Sequence, residues 1–504
     1  MITINTRDLR IVLRDTGEIL RVLAVIMLIP LLVTLYYNPS ILPMMSFIVP
    51  SALFFTLSAF FRSVYWKSRG DRESEVTTLK HAMMTVAFAW LIVALIGSLP
   101  FSITGTLNPL DSFFESMSGW TTAGMTMIQD IENLNNEHKD VLFYRSLMEW
   151  VGGVGIIVLF LVILMRPGSE AQRLYSSEAR LTRIKPRMKS TAIEIWKIYA
   201  LYTLMCAVLL SIAGMTPFDA INHSLTTLST GGFSTHDESI AYYDSHPNGL
   251  LIKVILMFFM IVGAISFMMH FKVFQGNHKE LFRNPEFRAM LVIIFIVGVI
   301  ITAGLYFSGY NKSGENTAHA IINPLFQVVA LLTPTGYTTM DISGLGDLPK
   351  TALLLIMFVG GCYGSTTGGI KLLRLIIIVK AIWHSIKKVT LPETAVISLK
   401  LGGRVLENKV VVSAMVLVIL YIILAVAGAT AFMAMGIGDN PYDSLSLSIS
   451  SLSNVGPTFL SEEEWFSMPD DAKLLIIFLI WAGRIEIFPV VILLTHITKR
   501  KDKR

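Results

Sequence analysis

Charge is scarce in this 504-residue chain: 15% of its residues are charged, against 53% hydrophobic. A soluble protein of this length would carry more charge. The apolar residues gather into runs of about 20, the length that crosses a ~30 Å hydrocarbon core as helix. Cysteine is nearly absent too. The only two, Cys206 and Cys362, fall inside apolar runs, which leaves neither placed for a disulfide on an oxidising side. Catalytic signatures are missing as well: no His-Glu-x-x-His and no Gly-x-Ser-x-Gly occurs. Gly152-Gly153-Val154-Gly155 sits within an apolar run and is no dinucleotide fingerprint.

Spanning segments are expected at 20–37, 44–61, 77–99, 141–165, 193–213, 250–271, 287–307, 351–382, 410–435 and 472–497. The first follows a polar stretch with no small-residue cleavage site behind it, so it reads as an anchor and not a signal peptide. Positive charge is also missing from one side. The stretches 99–140, 214–248, 308–350 and 436–471 hold three basic residues, Lys139, Lys312 and Lys350, against twenty acidic ones. Seven basic residues, from Arg166 to Lys189, crowd one loop, and the tail ends Lys499, Arg500, Lys501, Asp502, Lys503, Arg504. Cytoplasmic loops hold the excess Lys and Arg, so both termini are expected in the cytoplasm. This topology accounts for the basic tail without nucleic acid. The acidic face has two readings, attraction of cations or the complement of the positive-inside bias.

One pattern recurs four times: a hydroxyl residue, two residues, glycine, one residue, a hydroxyl. It reads Thr121-Thr122-Ala123-Gly124 with Thr126, Ser229-Thr230-Gly231-Gly232 with Ser234, Thr333-Pro334-Thr335-Gly336 with Thr338, and Ser453-Asn454-Val455-Gly456 with Thr458. The glycines lie 108, 104 and 120 residues apart, and three copies carry Pro-x-Asp fifteen residues upstream, at Pro109, Pro217 and Pro441. Such periodicity implies four equivalent units. The third copy has Ile321 at that position and Pro324 farther on, which makes its helical half the weaker expectation.

Residues 109–120 and 217–228 are too short to span and too apolar for a loop, and are expected as re-entrant half-helices. Proline suits the first turn, and aspartate there meets the positive end of the helix dipole. The carboxyl ends would then favour a cation within the membrane. Irregular backbone at that depth must line a watery cavity or be buried in protein, and a ring of carbonyls can replace an ion's hydration shell. A lone Gly beside Ser or Thr is common in helix packing; four copies between spanning helices argue for a filter. Thr121, Ser229, Thr333 and Ser453 are expected to shape the turns.

Five glycines interrupt the run Gly360 to Lys371, at 360, 361, 364, 368 and 369, so the helix should break there. The alternative is close helix packing through small residues. Arg484 lies well inside the last apolar run, where an unpaired charge is costly and marks function. It reads either as a pore residue or as one half of an ion pair, for instance with Glu149. An enzyme reading rests on Gly436-Ile437-Gly438-Asp439 and Tyr442-Asp443, which spell the motifs of intramembrane aspartyl proteases. Those aspartates sit four residues apart in one loop, whereas catalysis needs them facing each other from separate helices.

With these features the chain resembles the transmembrane subunits of the Trk/Ktr potassium uptake family, from the first span to the last. The likeness is most specific in residues 121–126, 231–237, 335–339 and 454–457. It implies an all-α polytopic membrane protein in which two N-terminal helices (1–70) precede four helix–pore-loop–helix repeats: 71–190, 191–285, 286–400 and 401–504. It also implies that glycine at all four filter positions goes with potassium preference, and here these are Gly124, Gly232, Gly336 and Gly456. By the same likeness Gly364, Ser365, Thr366, Thr367, Gly368 and Gly369 form a gate beneath the filter, and Arg484 approaches the ion path. Potassium is the expected transported ligand, with no cofactor. The resemblance further implies the inner membrane, a homodimer and a cytoplasmic ring of nucleotide-binding regulatory subunits. The rival reading is a sodium or unselective monovalent cation transporter, with or without coupling to protons or sodium.

Overall fold

The computed structural model describes residues 6–67, 78–164, 188–307, 317–392, 397–401 and 404–498. It is helical almost throughout. Six helices are long and apolar enough to cross a membrane: Asp8–Tyr37, Ile41–Trp66, Lys80–Thr104, Ala192–Ile212, Pro285–Phe307 and Asn408–Ala434. A seventh long helix, Lys139–Leu164, lies where the fourth span was expected. Side chains such as Phe295, Ile212 and Leu204 are exposed along these helices, an arrangement that suits hydrocarbon and not water. The basic loop lies outside the described residues from Arg166 to Arg187, as do Lys499 to Arg504.

Two expected single spans are broken instead. Residues 250–271 form Gly249–Ala264 and Phe267–Phe274, bent by 101°, and residues 472–497 form Asp470–Arg484 and Phe488–Thr498, where the bend is 111°. Hydropathy cannot register such a bend, because both arms are equally apolar. At the first break, Gly263 O and Ala264 O accept from Thr366 N (3.4 Å) and Cys362 N (2.8 Å), so another segment takes carbonyls of the last helical turn. At the second, Glu486 and Ile487 adopt φ of 60° and 63°, a left-handed conformation that ends a helix.

Four short helices lie between the long ones: Pro109–Thr121, Pro217–Leu228, Thr317–Leu332 and Pro441–Ser453. In three of them the residue before the proline caps the helix. Asn108, Thr216 and Asn440 each accept from the backbone N–H of the aspartate, at 2.9, 3.1 and 3.3 Å, which satisfies donors that the first turn leaves open. The third lacks this start and nevertheless forms sixteen residues of helix with Pro324 inside it. Phe326 and Val328 to Leu332 are all buried, and that packing outweighs the hydrogen bond lost at Pro324.

The first two spans pack on the first unit. Ser58 Oγ donates to Gly17 O (2.6 Å) and Ser51 Oγ to Ala24 O (2.7 Å), so small residues bring the backbones together. Leu20, Phe47, Phe54, Phe101, Tyr144 and Met148 share one apolar core, while the four half-helices contribute to a larger one.

Candidate functional site: four glycine turns and the segment beneath them

Each half-helix ends in a turn of the same shape. The residue two before the glycine has positive φ in every copy: Thr122 53°, Thr230 54°, Pro334 24° and Asn454 54°. The glycines follow at 70°, 89°, 78° and 108°. Such angles are closed to most side chains and open to glycine. Thr122, Thr230, Pro334 and Asn454 hold them nonetheless, and Pro334 departs furthest from its habit, since its ring normally keeps φ near −65°.

The four turns close on one another in order. A methyl carbon added to Gly124 would lie 2.2 Å from Gly231 O, one on Gly232 1.8 Å from Thr335 O, one on Gly336 1.8 Å from Val455 O, and one on Gly456 3.0 Å from Ala123 O. Every glycine abuts the carbonyl preceding the glycine of the next unit, and the fourth returns to the first. Four carbonyl-bearing turns thus meet around one axis. Their hydroxyls point elsewhere. Thr121, Ser229 and Thr333 donate back to the helix carbonyls of Met117, Thr226 and Val329 at 2.6, 3.0 and 2.7 Å, whereas the buried Ser453 Oγ has no hydrogen-bond partner among the described residues.

Outside the turns, the following segments join neighbouring units. Asp237 accepts from Ile131 N (2.8 Å), Thr338 O from Ile240 N (3.1 Å), and Trp465 Nε1 donates to Thr126 O (2.8 Å). The acidic segment Glu462–Phe466 therefore lies beside the first turn. Behind the ring, charges are buried. Arg145 pairs with Glu115 at 2.7 Å, and both are essentially inaccessible. Glu149 Oε2 accepts from Phe233 N at 3.2 Å, directly behind Gly231, while its Oε1 has no hydrogen-bond partner.

The glycine-rich segment leaves helical geometry as expected, between the helices Asp347–Met357 and Leu372–Thr390. It is firmly held. Val359 and Gly360 pair in parallel with Ile370 and Lys371. Within the segment, Ser365 Oγ donates to Cys362 O (2.6 Å), Gly361 N to Thr367 Oγ1 (3.0 Å), and Lys371 Nζ to the carbonyl of Thr367. Thr366 Oγ1 bonds Leu228 O and Gly263 O, both at 3.1 Å, and meets Thr230 Oγ1 at 3.2 Å. Gly368 faces Ser453 O so closely that an added carbon would lie 2.2 Å away. Gly364 O accepts from Phe267 N (3.2 Å), and Gly369 turns at φ 66°. The segment thus sits against the inner ends of the second and fourth half-helices.

Arg484 completes the contact. Only 3% exposed, it donates to Thr366 O (2.8 Å) and Gly152 O (3.3 Å), and its Nε has no hydrogen-bond partner. Among the described residues it forms no salt bridge, with Glu149 or any other carboxylate. Glu486 pairs instead with Arg374, at 3.1 and 2.7 Å.

Sequence reading missed a second set of glycines. Gly152, Gly263 and Gly483 lie on the helices after the turns and oppose Trp120 O, Leu228 O and Leu452 O, where an added carbon would stand 2.2, 3.0 and 1.7 Å away. They let those helices approach the half-helix ends. Their only sequence signal is a glycine 27 to 31 residues past three of the four turn glycines, at 124/152, 232/263 and 456/483. Glu115 and Arg145 were also overlooked, although a charge in an apolar stretch is itself a signal.

Known proteins match this arrangement along nearly the whole chain. The family profile described as "TrkH: Cation transport protein" covers residues 48–502. An uncharacterised cation transporter of Methanocaldococcus jannaschii is 34% identical over 492 residues, with 97% of this chain and 96% of the relative aligned. The Trk system potassium uptake protein TrkH of Escherichia coli K12 is 34% identical over 450 residues, covering 88% of this chain and 90% of the relative. The crystal structure of the potassium transporter TrkH from Vibrio parahaemolyticus superposes with a TM-score of 0.82 at 32% identity, over 96% of this chain and 98% of that one. These relatives transport cations and are not enzymes, which removes the protease reading of Asp439 and Asp443. A multi-pass helical chain with four glycine turns closed into one ring is the expected form of such a transporter, and this chain belongs to the TrkH family of cation transport proteins.

Proposed function

We propose that this protein takes up potassium through a central pore whose selectivity filter is the ring of turns at residues 121–124, 229–232, 333–336 and 453–456. The observation that carries the reading is the cyclic apposition of each glycine with the next unit's carbonyl. Main-chain oxygens held in that way replace ion hydration, and the half-helix carboxyl ends add partial negative charge. Potassium is the transported ion of the similar Escherichia coli and Vibrio proteins.

In this reading Gly364 to Gly369 form a gate under the filter, supported by the contacts of Thr366 and Gly368 with two half-helix ends. Arg484 adds a fixed positive charge beside it. The units are 1–70, 71–190, 191–285, 286–400 and 401–504. The basic loop from Arg166 and the basic tail face the cytoplasm of an inner membrane, and the turns open outward. Regulation comes from a cytoplasmic nucleotide-binding ring acting on a homodimer of this chain; the relatives' names, which speak of a Trk system, support partner subunits in general. A less selective monovalent pathway, including sodium, draws on one observation: Pro334 takes φ 24° where the other turns hold 53° to 54°.

Tracer flux into proteoliposomes decides between them, with potassium, rubidium, sodium and lithium compared for the natural chain and for G232S. Potassium and rubidium uptake well above sodium, eroded in the variant, supports the filter. Equal or sodium-favoured flux keeps the pore and overturns the potassium assignment.

A further inference from the structure

On the outer side, the segments following the first and second turns meet in a cluster that ion permeation does not use. Asp130, Glu132 and Asp237 each offer a carboxylate oxygen, all within 4.8 Å of one another. His236 adjoins them. It is 6% exposed, its Nδ1 has no hydrogen-bond partner, and that nitrogen points at Glu132 Oε1 from 3.4 Å. Bonds of ~2.0–2.1 Å meeting at a tetrahedral angle put two ligand atoms about 3.4 Å apart.

The ring is also held as a ligand's would be. Asp219 Oδ2 stands 3.7 Å from His236 Nε2, and the Tyr243 hydroxyl lies 3.4 Å from the same nitrogen. Tyr242 stacks on the imidazole, with centroids 3.5 Å apart and planes 6° from parallel. A carboxylate near the distal nitrogen is the kind of neighbour that orients a metal-ligating imidazole. Asp219 is itself anchored by Thr216 (2.6 Å) and Thr235 (2.7 Å). A cavity of about 730 Å³, whose walls include Glu132, Asp219, Asp237 and Tyr242, leads to the cluster.

We propose that Asp130, Glu132, His236 and Asp237 form an extracellular binding site for a divalent transition metal of the zinc type. One imidazole nitrogen with carboxylate oxygens suits such an ion better than magnesium or calcium, which take oxygen ligands alone. Asp130 and Glu132 belong to the first unit, His236 and Asp237 to the second, and His236 lies four residues beyond Gly232. A bound metal would clip together the two segments leaving the filter.

The test is calorimetric titration of the untagged full chain with zinc chloride in chelator-treated buffer, with magnesium and calcium run alongside. One saturable zinc site per chain is expected, weakened at least ~10-fold in H236Q and lost in the double variant D130N/E132Q. That double variant changes only cluster carboxylates, so a wild-type melting temperature shows that it folds whatever H236Q does. No saturable zinc binding by the natural chain overturns the proposal. So does zinc binding undiminished in the folded double variant, or magnesium and calcium binding as tight as zinc, which would leave an ordinary acidic surface. The measurement needs no transport and stands or falls apart from the potassium assignment.

Discussion

A single carbon separates each turn glycine from close contact with a carbonyl, and the available space differs among the four. The distances of 1.8 Å at Gly232 and Gly336, 2.2 Å at Gly124 and 3.0 Å at Gly456 predict an order of damage. Replacing each glycine with serine and measuring the rubidium-to-sodium flux ratio, we expect the greatest loss at positions 232 and 336 and the least at 456. An inverted order would show that the turns are not held by this contact. Arg484 gives a second residue-scale test. R484A removes a buried charge and two hydrogen bonds to backbone carbonyls, so conductance should change; a change in melting temperature with unaltered flux would assign the arginine to structure alone. Arg145 is the stability counterpart. R145M leaves Glu115 buried without its partner, which costs about 3–5 kcal/mol, and a thermal unfolding scan should show a clear drop.

At the scale of elements, the half-helices and the glycine-rich segment divide the work. The half-helices are fixed by caps, by packing and by the glycines that let long helices reach their ends. The segment at 359–371 is fixed by hydrogen bonds, three of its anchors converging on Thr366. Deleting residues 364–368 should raise basal flux in folded protein if the segment obstructs the path, and unchanged or lost flux would count against a gate. T366V is gentler. It removes the one hydroxyl proton shared between Leu228 O and Gly263 O, worth about 0.5–1.5 kcal/mol in all, and should raise open probability in single-channel records while leaving the potassium-to-sodium ratio intact.

For the whole molecule, the ring imposes a simple electrical expectation. An inside-negative potential supplies ~2.3 kcal/mol per charge per 100 mV, enough for about 50-fold accumulation of a monovalent cation. If potassium moves alone, the reversal potential across voltage-clamped proteoliposomes should follow its gradient at about 59 mV per tenfold ratio. A shallower slope that shifts with pH or with sodium would establish a coupled ion.

Much of this protein could be read from its residues in order. Hydropathy located the spans because a membrane admits only long apolar helices. The repeat of Thr121, Ser229, Thr333 and Ser453 with their glycines located the turns, because a residue at positive φ whose Cβ would meet a neighbouring carbonyl is best filled by glycine. Pro-x-Asp marked three half-helix starts because capping is local. What remained was decided by contacts between distant segments. The bends after Ala264 and Arg484 follow from bonds to other parts of the chain and from left-handed residues, and neither changes hydropathy. Packing, not local signal, kept the third half-helix. Arg484 could have faced Glu149 or a backbone carbonyl, and only the fold brought Thr366 O and Gly152 O to it. Sequence determined which residues had to turn, and tertiary structure decided which carbonyl each would meet, since that depends on four units closing around one axis.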